Sequence, residues 1–183
     1  MIMNKRIIIC TGGTGGHVIP AINFGNFLID HNYECLMILD KRGAKYLNNF
    51  KGKSKIIESS HLSGNLLFKI ISLVKLLFGF IKSLLIIVKY KPNICITFGS
   101  YATFMPLISI IFLKFFLRTK IYIHEQNSII GKVNLFFLPY AKIVFTNFEN
   151  IVKLKKKYIF KKEYVGIPSY EYNKNLQKIY IEE

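Results

Sequence analysis

Arg6-Ile-Ile-Ile-Cys10-Thr-Gly-Gly-Thr14-Gly-Gly-His17-Val-Ile-Pro20 is the stretch on which the fold turns. Arg6–Cys10 is an apolar, largely β-branched run after its opening arginine and is stopped by glycines, which marks a buried strand. Pro20 suits the first turn of a helix running to about His31. The four glycines between them permit positive φ and close approach of a ligand to the backbone. Free N–H groups at the start of the next helix favour a phosphate or diphosphate. His17 stands at the carboxyl end of a strand, where ligands bind in open α/β sheets. An imidazole, with its ordinary pKa near ~6.5, suits removal of a proton from a hydroxyl. The competing reading of His17 is a packing or capping residue.

Working outward, short β-branched runs alternate with longer apolar ones. Strands are expected at 34–39, 55–58, 94–98, 120–124, 142–146 and 164–165, with helices at 44–50, 66–90, 102–117 and 149–158 and a short one ended by Pro139. This order, with purely apolar strands, indicates an α/β fold: a Rossmann-like parallel sheet with helices on both faces. The glycine turn matches two common motifs poorly. Val18 takes the third glycine position of GxGxxG, and no Lys-Ser/Thr follows Gly16 as a P-loop requires. Asp40, 24 residues after Gly16, keeps a dinucleotide-binding reading open.

A second polar cluster, Glu125-Gln126-Asn127-Ser128 followed by Gly131-Lys132, also lies at a strand's carboxyl end. It suits hydrogen bonding to a polyhydroxylated or amide-bearing ligand; the alternative is a loop that caps the next helix. Gly99-Ser100-Tyr101 would line the same crevice. Three loops at one sheet edge make a site more credible than any one alone.

The chain carries 26 Lys+Arg against 10 Asp+Glu, a formal +16. With 23 Lys, 30 Ile, 14 Asn and no Trp, it bears the mark of an AT-rich coding bias. The charge still favours anionic partners. No RNP-like aromatic pattern or helix-turn-helix signature supports nucleic acid. Cys10, Cys35 and Cys95 lack a CxxC spacing and read as small core hydrophobes in a reducing compartment. The N-terminal apolar run is too short for an export signal, and no uncharged stretch reaches the ~18 apolar residues of a span. The expectation is a cytoplasmic protein that does not cross a membrane.

Four segments together carry a resemblance: GGTGGHVIPA at 12–21, FGSY at 98–101, IHEQNSIIGKVN at 123–134 and VGIP at 165–168. They resemble the N-terminal domain of the MurG family, the UDP-N-acetylglucosamine transferases that make lipid II for peptidoglycan. The resemblance implies one half of a GT-B glycosyltransferase, in which two Rossmann-like halves face a cleft. The N-terminal half holds the lipid-linked MurNAc-pentapeptide and the C-terminal half most of the UDP-GlcNAc. It implies that Thr14, Gly15 and Gly16 lie near the donor diphosphate and that His17 is the base. Asn127 is then the cleft asparagine, Glu125 helps position the acceptor hydroxyl, and Tyr101 contacts substrate. No metal or cofactor is implied. Two departures stand out. Gly99-Ser100 replaces the usual glycine pair, and Tyr170 stands where the family places a donor-contacting arginine. The expected organisation is an acceptor-binding domain at 1–169 and a polar tail or linker at 170–183. Activity would then need a separate C-terminal half. A non-catalytic membrane- or acceptor-binding subunit is the alternative.

Residues 41–91 hold eleven Lys/Arg and one acid, a net +10. On the 66–90 helix, Lys75, Lys82 and Lys89 recur every seven residues beside Phe68, Ile71 and Ile86. Leu66, Ile70, Leu73, Leu77, Leu84 and Val88 are expected to face the sheet. A stripe mixing Lys with apolar groups is that of an interfacial helix on anionic lipid. The family's membrane-embedded acceptor places such a protein peripherally on the cytoplasmic face of the plasma membrane. A solvated lysine face is the alternative.

Overall fold

The computed structural model describes residues 5–60 and 65–169. The expected 170–183 tail, Tyr170 within it, and Gly64 lie outside these residues. Seven strands, β1 Arg6–Cys10, β2 Glu34–Asp40, β3 Lys53–Ile57, β4 Ile94–Thr97, β5 Lys120–Glu125, β6 Ala141–Thr146 and β7 Lys162–Tyr164, form one sheet in the order β3-β2-β1-β4-β5-β6-β7. Every pairing among them is parallel. Helices α1 Gly15–Asp30, α2 Lys41–Ala44, α3 Leu66–Tyr90, α4 Phe104–Phe112, α5 Lys114–Leu117 and α6 Lys132–Phe137 join them. Alternate residues of a strand point to opposite faces. Ile7, Ile9, Met37 and Leu39 accordingly pack with Val18, Ala21 and Ile22 of α1 on one face. Ile8, Cys10, Leu36 and Ile38 pack with Ile87, Leu107, Ile110 and Phe137 of α3, α4 and α6 on the other. The three cysteines are buried and free, as expected of core hydrophobes.

The chain runs outward from β1 to β3, then α3 returns it to β4 beside β1. Strand order therefore reverses between β1 and β4. A crevice opens at the carboxyl ends of strands at such a switch point. The glycine turn and the segment after β4 flank it.

Several local expectations are corrected. Helix α1 begins at Gly15, with Thr14 as its N-cap, so Pro20 lies in the second turn rather than the first. The helix expected at 44–50 is α2 plus a 3-10 turn at Leu47–Asn49, because the Asp40 side chain caps a helix directly after β2. The 102–117 helix is a 3-10 turn at Tyr101–Thr103 followed by α4 and α5, broken at Leu113. The helix expected at 149–158 is absent. Val152 instead pairs with the 128–130 loop, donating from N to Ser128 O at 2.7 Å and accepting from Ile130 N at 3.1 Å. Lys153 is left-handed there, at φ 66°, and only a 3-10 turn at Lys156–Lys161 follows. Tertiary pairing overrides a weak helical pattern in this segment.

The sheet-facing side of α3 is also not the expected one. Ser72, Leu76, Gly79, Ser83 and Ile87 are buried, while Ile70, Leu73, Leu77 and Val88 are exposed. Leu84 packs against the core, and the side chain of Leu66 lies outside the description. The small residues let the helix backbone lie close: a Cβ at Gly79 would collide with the carbonyl oxygen of Glu58. Ser83 Oγ satisfies itself on Gly79 O at 2.7 Å, so burying it costs little.

Candidate functional site

The glycine turn divides into two pairs with different jobs. Gly12 and Gly13 hold positive φ, 154° and 77°, where a side chain is strained. Gly15 and Gly16 are instead the first helical residues of α1. Among the described residues their N–H groups have no hydrogen-bond acceptor, the Thr14 side chain makes no capping bond, and the first turn carries no acid. Two orphan donors thus stand at the positive end of a 16-residue helix.

Asp40, 3% exposed, anchors the turn. Its Oδ1 accepts from Gly13 N at 2.9 Å and Gly43 N at 3.0 Å. Its Oδ2 accepts from Arg42 Nε at 2.8 Å and Ser59 Oγ at 3.1 Å. Burial alone would raise its pKa. The two backbone N–H groups and the Arg42 guanidinium outweigh burial and hold the carboxyl below its ordinary value. With both oxygens doubly engaged, Asp40 has nothing left for a ribose, which removes the basis of the dinucleotide reading.

Across the crevice, Gly99 and Ser100 carry the chain out of β4 at φ 79° and 82°. Ser100, with ψ 153°, occupies a region that is essentially glycine's. Its Oγ accepts from Ala102 N at 3.4 Å, a long bond that returns little. Ser100→Gly should therefore stabilise the chain by about 1 kcal/mol and raise its melting midpoint by roughly 2–4 °C. A midpoint at or below the parent's in a thermal melt would show that Ser100 is not strained.

The third wall follows β5. Glu125, expected in a loop as a group that positions acceptor, is the last residue of the strand and 1% exposed. Its Oε1 accepts from Asn127 N and Nδ2, both at 3.0 Å. Its Oε2 accepts from Gly131 N and Asn134 Nδ2, both at 2.9 Å. The carboxylate thus folds the 127–134 loop and has no lone pair to spare for a substrate proton. Asn127 is exposed, and its Oδ1 has no partner among the described residues. Asn134 Oδ1 is buried and equally unpartnered. A ligand donor would satisfy both.

His17 is half-buried on the first turn of α1, its Nδ1 2.8 Å from Gln126 Oε1. Gln126 Nε2 in turn contacts His124 Nδ1 at 3.0 Å and His124 O at 2.8 Å. His124 is buried, stacked on Phe98 at 5.1 Å, with Nε2 3.0 Å from Gly166 O. Burial pushes its pKa down, against the pull of the Gly166 carbonyl and Glu125.

These walls enclose an open cleft of about 250 Å³ lined by Gly13, Thr14, His17, Arg42, Tyr101, Glu125, Asn127, Lys132 and Asn134 among others. Of the residues singled out in the sequence, Thr14, His17, Tyr101, Glu125 and Asn127 meet here, with Gly15 and Gly16 beside them. Arg42, His124 and Asn134 carry no individual expectation from the sequence, and Gln126 only that of the polar cluster at 125–128. Gln126 and His124 stood inside the HEQN segment, which was the available signal. Arg42 was hidden by placing the helix after β2 three residues too late.

A second surface lies along α3. Lys75, Lys82, Lys89, Phe68 and Ile71 are exposed, while Ile86 is corrected: it is half-buried and packed on the core. Beside them Leu67, Phe78 and Leu85 are exposed, and at the end of α4 and on α5 so are Phe112, Phe115 and Phe116, the last two by 85% and 83%. By length and composition Leu67–Tyr90, with mean hydropathy 2.3, is apolar enough to cross a membrane, which charge-based reading of the sequence did not show. Its Gly79–Ser83–Ile87 side, however, is packed in the fold.

Residues 7–146 match the glycosyltransferase family 28 N-terminal domain. The chain is 39% identical over 150 residues to the UDP-N-acetylglucosamine--N-acetylmuramyl-(pentapeptide) pyrophosphoryl-undecaprenol N-acetylglucosamine transferase of Rickettsia canadensis, covering 82% of this chain and 40% of that protein. It is 41% identical over 148 residues to the same-named protein of Rickettsia typhi, covering 80% and 36%. The chain thus spans well under half the length of these relatives. Among solved structures, MurG of Acinetobacter baumannii superposes with a TM-score of 0.73 at 21% identity, covering 93% of this chain and 48% of that one. A UDP-N-acetylglucosamine 2-epimerase from Rickettsia bellii superposes at 0.62 and 10% identity, covering 98% and 49%, so the fold alone does not select a transferase.

Proposed function

Because the chain belongs to glycosyltransferase family 28 and carries its N-terminal domain, we propose that it is the acceptor-binding half of an inverting N-acetylglucosaminyltransferase acting on a lipid-linked MurNAc-pentapeptide. The reading is carried by one observation: His17 lines the switch-point cleft together with Thr14, the N-cap of α1, whose next two N–H groups, on Gly15 and Gly16, have no acceptor among the described residues. His17 takes the proton from the acceptor sugar's hydroxyl. The freed oxygen attacks the anomeric carbon of UDP-GlcNAc, the bond to the diphosphate breaks, and UDP leaves with inversion. The helix N-terminus stabilises the charge that develops on the diphosphate. Asn127 and Asn134 accept from the acceptor's hydroxyls, and Tyr101 borders the same space. Glu125 holds their loop. In this reading residues 1–169 form the acceptor-binding domain, 170–183 lead toward a donor-binding half, and the relatives' greater length is the room for that half.

The test is reconstitution. The 183-residue chain should bind lipid-linked acceptor yet transfer little or no GlcNAc alone, and should gain transfer when a C-terminal GT-B half is added. Full turnover by the chain alone would overturn the half-enzyme reading. Acceptor binding that never leads to transfer would favour a non-catalytic acceptor-binding subunit.

The α3 surface supports peripheral attachment to the cytoplasmic face of the plasma membrane. Each lysine near an anionic surface contributes about 1 kcal/mol, screened over ~8 Å at physiological ionic strength. Exposed Phe and Leu beside them supply an apolar, salt-resistant part. Replacing Lys75, Lys82 and Lys89 together by Glu should lower partitioning onto vesicles of anionic lipid by roughly 10²-fold or more. Sedimentation with vesicles that matches the parent would leave a merely solvated lysine face.

A further inference from the structure

We infer that Gln126 is a positioning residue that holds His17 in a single tautomer, with the proton on Nδ1 and the lone pair on Nε2. The inference deepens, and rests on, the reading of His17 as the base. Its warrant is that two backbone carbonyls leave only one arrangement of protons along the chain His17–Gln126–His124–Gly166. Carbonyl oxygens can only accept. The Gln126 amide atom 2.8 Å from His124 O must therefore be the nitrogen. That nitrogen also lies 3.0 Å from His124 Nδ1, which must accept. His124 Nε2, 3.0 Å from Gly166 O, must then carry the ring proton. With the amide orientation set, its oxygen faces His17 Nδ1 at 2.8 Å, and an amide oxygen only accepts, so His17 donates from Nδ1.

Turning the Gln126 amide over would bring two oxygens to 2.8 Å and leave the carbonyl of His124 facing no donor. Gln126 is 6% exposed, so water cannot easily take over either role. The stack of His124 on Phe98 holds the second ring in place. A base must offer its lone pair to the substrate before the proton moves. Fixing the tautomer in advance removes the fraction of molecules that would present an N–H there instead. The origin of the setting, Gly166, lies just beyond β7, at the far edge of the sheet from β3.

The experiment is a long-range ¹H–¹⁵N spectrum of the imidazoles in the 183-residue chain, recorded above the titration range of histidine and without any substrate. His17 should show a protonated Nδ1 and His124 a protonated Nε2, opposite tautomers in one molecule. In Gln126→Leu, His17 should relax to the mixed pattern of a free imidazole. In the reconstituted enzyme Gln126→Leu should lower kcat roughly 10-fold or more with KM little changed, the signature of a group acting in the transition state. A parent spectrum with His17 protonated on Nε2, or an unchanged His17 tautomer in Gln126→Leu, overturns the inference. If Gln126→Leu does not fold, the parent spectrum alone decides. Because no turnover enters the spectrum, its outcome is separate from whether the chain supports glycosyl transfer.

Discussion

His17→Ala lowers turnover of the reconstituted transferase by roughly 10²–10⁴-fold, the usual size of a general-base contribution. At about 1.36 kcal/mol per decade this is ~3–5 kcal/mol of transition-state stabilisation. The loss should fall on kcat, because the alanine leaves the cleft walls in place and the acceptor is held by other groups. Stability should change by no more than about 1 kcal/mol. The side chain is half-buried, and among the described residues it gives up one hydrogen bond, to Gln126 Oε1. Steady-state kinetics and a thermal melt on the same preparation separate the two outcomes. Wild-type turnover, or a variant that unfolds, would make His17 a packing residue and remove the basis of the proposed mechanism.

Glu125→Ala should act in the opposite way, on stability first. The substitution strips the acceptor from four donors at once, Asn127 N and Nδ2, Gly131 N and Asn134 Nδ2. Bonds to a charged acceptor contribute about 1.5–3 kcal/mol each, and part is recovered where the loop can reach water. A net loss of about 3–5 kcal/mol is expected, from a total of roughly 5–15 for a domain of this kind. The melting midpoint should fall by roughly 10 °C. Glu125→Gln, which keeps the shape and part of the acceptor capacity, should lie between. Activity falls with the loop and not ahead of it. A Glu125→Ala chain with the parent's midpoint and no turnover would return Glu125 to the chemistry.

The difference between the two residues explains how the site was legible. The sequence brings His17 and Glu125 forward on equal terms, each polar and each next to the carboxyl end of an apolar strand. What separates them is the partner list. Glu125 points back into its own loop and is consumed there, while among the described residues the His17 ring is tied through Nδ1 alone. Partner lists depend on residues far apart in sequence, 109 positions for His17 and Gln126, and no local pattern carries them. The same holds for Asp40, whose spacing from the glycines fits a ribose ligand equally well until its four donors are seen.

The sequence by itself determined the parallel sheet, the strand–turn–helix at 6–30 and the span of α3, because each rests on local chemistry: β-branched apolar runs, glycine breaks and a proline after Lys91. It determined the family too, through short segments whose residue types are rare in combination. Only the tertiary structure decided which side of α3 is inside. Apolar content points to the leucine-rich side, yet the buried side is the one with Ser72, Gly79 and Ser83, where Gly79 lies too close to the Glu58 carbonyl for any side chain and the two serine hydroxyls find partners in Ser60 Oγ and Gly79 O. It likewise decided that 149–158 is not helical, since Val152 finds its backbone partners in the 128–130 loop. In each case the deciding energy is a contact between distant segments, and it exceeds the small local preferences by which a sequence is read.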